Sequence, residues 1–153
     1  MIHCLLFILF WTLPGSLQQR ECHCREAASN EVPHGANEYI ELPGVRRKTL
    51  RGRVSINGEL LPEIGGVVEV YKMPLDSKKL DHFLIVRKSQ RIAACVVGPE
   101  GKFCFPKLPP GQYFLVAGCL SSEAGINTTQ IVVTIDPKAK KDHPLELSLS
   151  PGT

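Results

Sequence analysis

The sequence predicts an all-β protein, a sandwich of seven or eight short antiparallel strands spanning about 100 residues. Three observations carry this. Residues 92–118 read as strand, turn, strand, proline-glycine corner, strand, with runs 92–97, 102–106 and 112–117 separated by Gly98-Pro99-Glu100-Gly101 and Leu108-Pro109-Pro110-Gly111. Residues 128–135, TTQIVVTI, form a β-branched run that suits a pleated surface. No segment carries a clear helical period, and the composition, 43% hydrophobic and 22% charged, is that of one ordinary globular domain.

In chain order, residues 1–17 (MIHCLLFILFWTLPGSL) contain no Asp, Glu, Lys or Arg. The apolar run 4–13 is too short for a bilayer core, which needs about 20 residues. Pro14-Gly15-Ser16 follows it. The pattern predicts a signal peptide cleaved near residues 15–19, hence a secreted or periplasmic protein without stable membrane insertion. Residues 18–47 form a polar leader with Pro33 and Gly35, expected to be loop-like with a short strand over 38–42. Residues 48–150 form the domain. In 49–56, Leu50, Val54 and Ile56 alternate with Arg51, Arg53 and Ser55, and Gly52 takes the remaining inward position. Asn57-Gly58 breaks that strand. Residues 66–73 alternate again, 74–79 are a polar connection, and 80–86 (LDHFLIV) fit either a strand or a helical turn. Leu145, Leu147 and Leu149 alternate with Glu146, Ser148 and Ser150 in a last strand.

The turn Gly-x-x-Gly, a basic residue, Phe103-x-Phe105, then Leu108-Pro-Pro-Gly-x-Tyr113-x-Leu115-x-Ala117 resembles the signature of carboxypeptidase regulatory-like domains of the secreted bacterial type. Upstream, residues 50–58 (LRGRVSING) and 65–71 (GGVVEVY) are similar to that family's first two strands. The resemblance covers residues 49–149. It implies a transthyretin-like (prealbumin-like) Greek-key sandwich, a crossing or edge strand at 80–86, and a non-enzymatic accessory module. One fold hosts several functions, so the ligand does not follow from it.

Of the six cysteines, Cys4 leaves with the signal peptide, and Cys22, Cys24, Cys95, Cys104 and Cys119 remain. If residues 98–101 close a four-residue hairpin loop, Cys95 faces Cys104. Ile92, Ala94, Val96, Phe103 and Phe105 then share the core face. A three-residue loop with Gly101 as the bulge shifts the register by one and forbids the bridge. The first partition keeps Arg91 and Lys102 out of the core, so a Cys95–Cys104 disulfide is the expectation. Cys22-His23-Cys24, with His34 nearby, is the one group with ligands for zinc or copper. Its Cys-x-Cys spacing is not that of a zinc site and export favours oxidation, so no metal or other cofactor is expected. A tie from this leader to Cys119 is an alternative.

Catalytic patterns are missing. There is no His-x-x-Glu pair of a zinc carboxypeptidase, no Gly-x-Ser-x-Gly elbow and no phosphate loop. Transthyretin-like hydrolases carry a terminal Tyr-Arg-Gly-Ser, and residues 149–153 are Leu-Ser-Pro-Gly-Thr. His82 and His143 stand among polar residues, and Asn127-Thr128-Thr129 is a glycosylation sequon. The formal charge is +3, with basic clusters only at Arg46-Arg47-Lys48 and Lys138-Ala-Lys-Lys141, read as solubility and edge protection rather than a nucleic-acid surface. The function expected is therefore a non-catalytic exported module for a protein or polysaccharide partner, with edge-strand pairing as one mode of contact. The alternative is a small metal-handling protein using Cys22, His23, Cys24 and His34.

Overall fold

The computed structural model describes residues 24–34, 39–73, 90–121, 125–140 and 142–151, with side chains omitted for 39–41. Among them there is no helix, and there are nine strands: β1 (Arg25–Glu26), β2 (Tyr39–Arg47), β3 (Leu50–Ile56), β4 (Gly66–Lys72), β5 (Arg91–Val97), β6 (Lys102–Phe105), β7 (Gly111–Cys119), β8 (Thr128–Ile135) and β9 (Leu145–Leu149). The signal-peptide segment and the ambiguous stretch 80–86 lie outside the described residues.

Two sheets result, one of six strands in the order β1-β5-β4-β7-β8-β2 and one of three in the order β6-β3-β9. The core lies between them. Val68, Val70, Cys95, Val97, Leu115, Ala117, Ile131 and Val133 of the large sheet pack with Leu50, Val54, Phe103, Phe105, Leu145, Leu147 and Leu149 of the small one. The sheets are mixed rather than purely antiparallel, because β2 runs parallel to β8 and β3 runs parallel to β9.

The expected hairpin across residues 98–101 does not form. β5 pairs with β4 and β1, whereas β6 pairs with β3, so the turn carries the chain from one sheet to the other. Gly101 explains the crossing: it sits at φ +70°, and a Cβ there would collide with the Val54 carbonyl. The amide of Val54 donates to the Gly101 carbonyl at 2.9 Å, which stitches the turn to β3. A consequence is that Ala93, Cys95 and Val97 face the core, not Ile92, Ala94 and Val96. Gly52 holds its inward position as expected, since a Cβ would strike both the Leu145 carbonyl and the Phe103 ring.

The leader is the larger surprise. It supplies both edges of the six-stranded sheet, β1 beside β5 and β2 beside β8. Between Ala27 and His34 it crosses the outer face as a strap. The amide of Ala27 donates to the Ala94 carbonyl and that of His34 to the Cys119 carbonyl. Pro33 lies against Gly118, where a Cβ would have no room. The strap covers apolar surface, with Ala27 packing on Val67, Ala94 and Val96.

Candidate functional site

The two sheets do not close against each other along one side. There, β1 and β5 of the large sheet face β6 of the small one across an open cleft of about 480 Å³. Its lining runs from Cys24 and Glu26 through Ile92–Cys95 to Cys104–Leu108. Alternation places Ala93 and Cys95 on the wall facing Phe105 and Leu108. Ile92 lines the mouth with 44% of its surface exposed. Glu26 and Lys107 set one charge of each sign on the rim.

The cysteines define this cleft. Cys24 is bonded to Cys95, with the two Cα atoms 5.7 Å apart. The Cys95–Cys104 bridge expected from the sequence is therefore not made. The reason is the sheet crossing: β5 and β6 are not hydrogen-bonded neighbours, whereas β1 pairs directly with Cys95 through Glu26. Cys104 is itself disulfide-bonded, and its carbonyl lies 3.7 Å from the Cys24 sulfur. Cys119 is the free thiol, fully buried, and burial pushes its pKa up. A buried protonated thiol is a poor nucleophile and ligand.

Of the Cys22, His23, Cys24 and His34 group, only Cys24 and His34 are described. Cys22 and His23 lie outside the described residues. The Cys24 sulfur is spent in the disulfide on the inner side of the large sheet, while the His34 backbone crosses the outer side. No group of three or more His, Cys, Asp or Glu side chains able to hold a metal occurs among the described residues.

A second polar feature, under the strap, escaped the sequence reading. Glu69 is only 3% exposed on the outer face of β4. The Tyr71 hydroxyl donates to it at 2.8 Å, and Arg91 pairs with it at 2.9 Å. Arg91 also donates to the carbonyls of Glu31 and Ala28 in the strap. Two β4 residues with the same parity and a basic residue opening β5 were the available signal, but it is common to any polar sheet face. Around it, Arg25 binds Glu31 through both guanidinium nitrogens, at 2.8 and 2.6 Å. That hydrogen bonding, with a further one from the Ala28 amide, holds the Glu31 carboxyl down to about 2. This network ties the leader to the sheet.

The sequon asparagine is buried as well. Its amide donates to the Pro151 carbonyl at 3.3 Å, and Thr129 donates to the Ser148 carbonyl at 2.7 Å. Comparison of the chain with protein-family models, curated proteins and solved structures finds no match.

Proposed function

We propose that this protein is a non-catalytic exported binding module of the carboxypeptidase regulatory-like type, a transthyretin-like Greek-key sandwich. The cleft between β5 and β6 is its contact site for a protein partner. The observation that carries the reading is the cleft itself: an apolar wall of Ala93, Phe105 and Leu108, an exposed Ile92 at the mouth, and the small sheet's edge strand β6 alongside. A site of this kind accepts an apolar anchor from an extended segment, with Glu26 and Lys107 selecting its flanking charges.

The family resemblance gains support from the motif's mechanics. Phe103 and Phe105 are both buried in the core, and the Tyr113 hydroxyl donates to the Pro109 carbonyl at 2.6 Å, which closes the Pro-Pro-Gly-x-Tyr corner. Disulfides at Cys24–Cys95 and at Cys104 favour an oxidising compartment and hence export.

A displayed library of extended peptides, selected on the folded protein and on an Ile92→Glu variant, tests the site. Apolar-anchored peptides should be enriched on the native protein and lost on the variant, with the unfolding midpoint unchanged. Equal enrichment on both, or none on either, would sink the proposal.

A further inference from the structure

Two basic runs about ninety residues apart in the chain meet at one end of the sandwich. β2 ends at Arg47 opposite Ile135, the last residue of β8, and the Asp136 amide donates to the Arg47 carbonyl at 2.8 Å. The connection from β8 to β9 then folds back on the β2–β3 turn: Asp142 accepts from the Thr49 amide and hydroxyl at 3.1 and 2.9 Å and pairs with Arg51 at 3.5 Å. The β6–β7 connection reaches the same end, because Phe105 pairs with Leu50. Arg46, Arg47, Lys48, Lys107, Lys138 and Lys140 are thereby gathered there.

Only two described carboxylates accompany them, and both are engaged. Asp136 pairs with Arg46 at 3.6 Å and accepts from the Lys138 amide, and Asp142 is held by Thr49 and Arg51. Lys48, Lys107, Lys138 and Lys140 are exposed, with no carboxylate within 4.0 Å among the described residues. The shielded Nε atoms of Arg47 and Arg51 lack a hydrogen-bond acceptor. The opposite end carries Glu59, Glu63 and Glu100 in its connections, Glu100 paired with Lys102 at 2.7 Å, so the described charges are unevenly shared between the two ends.

We propose that this basic end binds an anionic polysaccharide bearing sulfate or closely spaced carboxylate groups. Lysines on separate connections match a linear polyanion, whose affinity comes from counterion release rather than from a pocket. A single-stranded nucleic acid is a poorer fit, because it calls for aromatic platforms on which bases stack. Phe103, Phe105, Tyr113 and Phe114 are instead buried. The disulfides point the same way, toward compartments where anionic glycans are found. Lys107 also stands on the rim of the β5–β6 cleft, but Lys48, Lys138 and Lys140 lie outside its lining, so the proposal is tested on those three and does not depend on the cleft.

Titration of the mature protein with a fully sulfated heparin decasaccharide is the test. Binding should weaken roughly fifty- to a hundredfold between about 50 and 200 mM salt, as four neutralised charges imply. The triple variant Lys48→Gln/Lys138→Gln/Lys140→Gln should lose at least about tenfold in affinity and most of that salt dependence. Adding Glu59→Gln and Glu63→Gln to the triple variant restores most of the net charge and should not restore binding. Recovery in that variant, no binding at low salt, or tighter binding of an equally charged single-stranded oligonucleotide would each overturn the assignment.

Discussion

Gly101 shows how a single backbone position directs the chain between sheets. At φ +70°, with its α-carbon against the Val54 carbonyl, it has no room for a side chain. Gly101→Ala should destabilise the fold by more than about 2 kcal/mol, read from the denaturant midpoint. Cys119 gives a different residue-scale expectation. Its buried thiol should resist alkylation in the native protein and react on unfolding, and rapid native labelling would contradict the burial. Glu31 supplies a pH signature. Its carboxyl is depressed in the folded state, so the contacts it makes are intact above the ordinary glutamate value of about 4.5 and are lost as pH falls toward 2. The protection factor of the Ala28 amide, which donates to Glu31, should fall across that window once the intrinsic pH dependence of exchange is divided out, while core amides stay protected.

At the scale of elements, the buried Arg91–Glu69 pair helps to hold the strap, beside the Ala27 and His34 amide hydrogen bonds and the Cys24–Cys95 bond. Removing Arg91 leaves Glu69 charged and nearly enclosed, so Arg91→Ala should cost about 3 kcal/mol, and Glu69→Leu/Arg91→Met should recover much of it. Tyr113→Phe should cost about 1 kcal/mol, for the lost hydrogen bond to Pro109. Chemical denaturation of each variant checks both expectations. The strands of the domain are legible in local pattern: residues 128–135 in their β-branched run and β9 in its alternating leucines. The pairing of β5 with β4 instead of β6 was not, because a Gly-x-x-Gly turn reads alike whether it closes a hairpin or crosses between sheets. The β5 faces were inverted for the same reason, since Ile92-Ala-Ala-Cys-Val-Val is apolar at both parities. The leader's polarity reads as a loop with only a short strand over 38–42, which is the start of β2. Edge strands are half solvated, and β2, with its Pro43-Gly44 interruption and terminal arginines, carries the marks of a protected edge rather than of a core strand.

The whole molecule is a two-sheet body closed on its outer face by the strap and left open between β5 and β6. The cleft and the charge polarity both follow from that arrangement. The cleft has its shape because the leader is covalently fixed at its wall: the Cys24–Cys95 bond spans 71 residues of chain. A closure that long contributes about 4 kcal/mol by the chain-entropy estimate, so Cys24→Ser should lower the unfolding temperature markedly and loosen β1. The candidate site was therefore only half visible in the sequence. Cys95, Cys104 and the Phe-x-Phe strand were singled out, but their relation to Cys24 depended on a strand-to-sheet assignment that no local pattern encodes.

The most direct test of this account is tryptic mapping of the purified protein without reductant. The peptide 21–25, which carries Cys22 and Cys24, should emerge covalently joined to peptide 92–102, which carries Cys95. The peptide 103–107 should likewise emerge disulfide-bonded through Cys104 rather than as a free thiol. Recovery of 92–102 joined only to 103–107, with 21–25 unattached, would contradict the account. The leader would then not be fixed at the wall of the cleft.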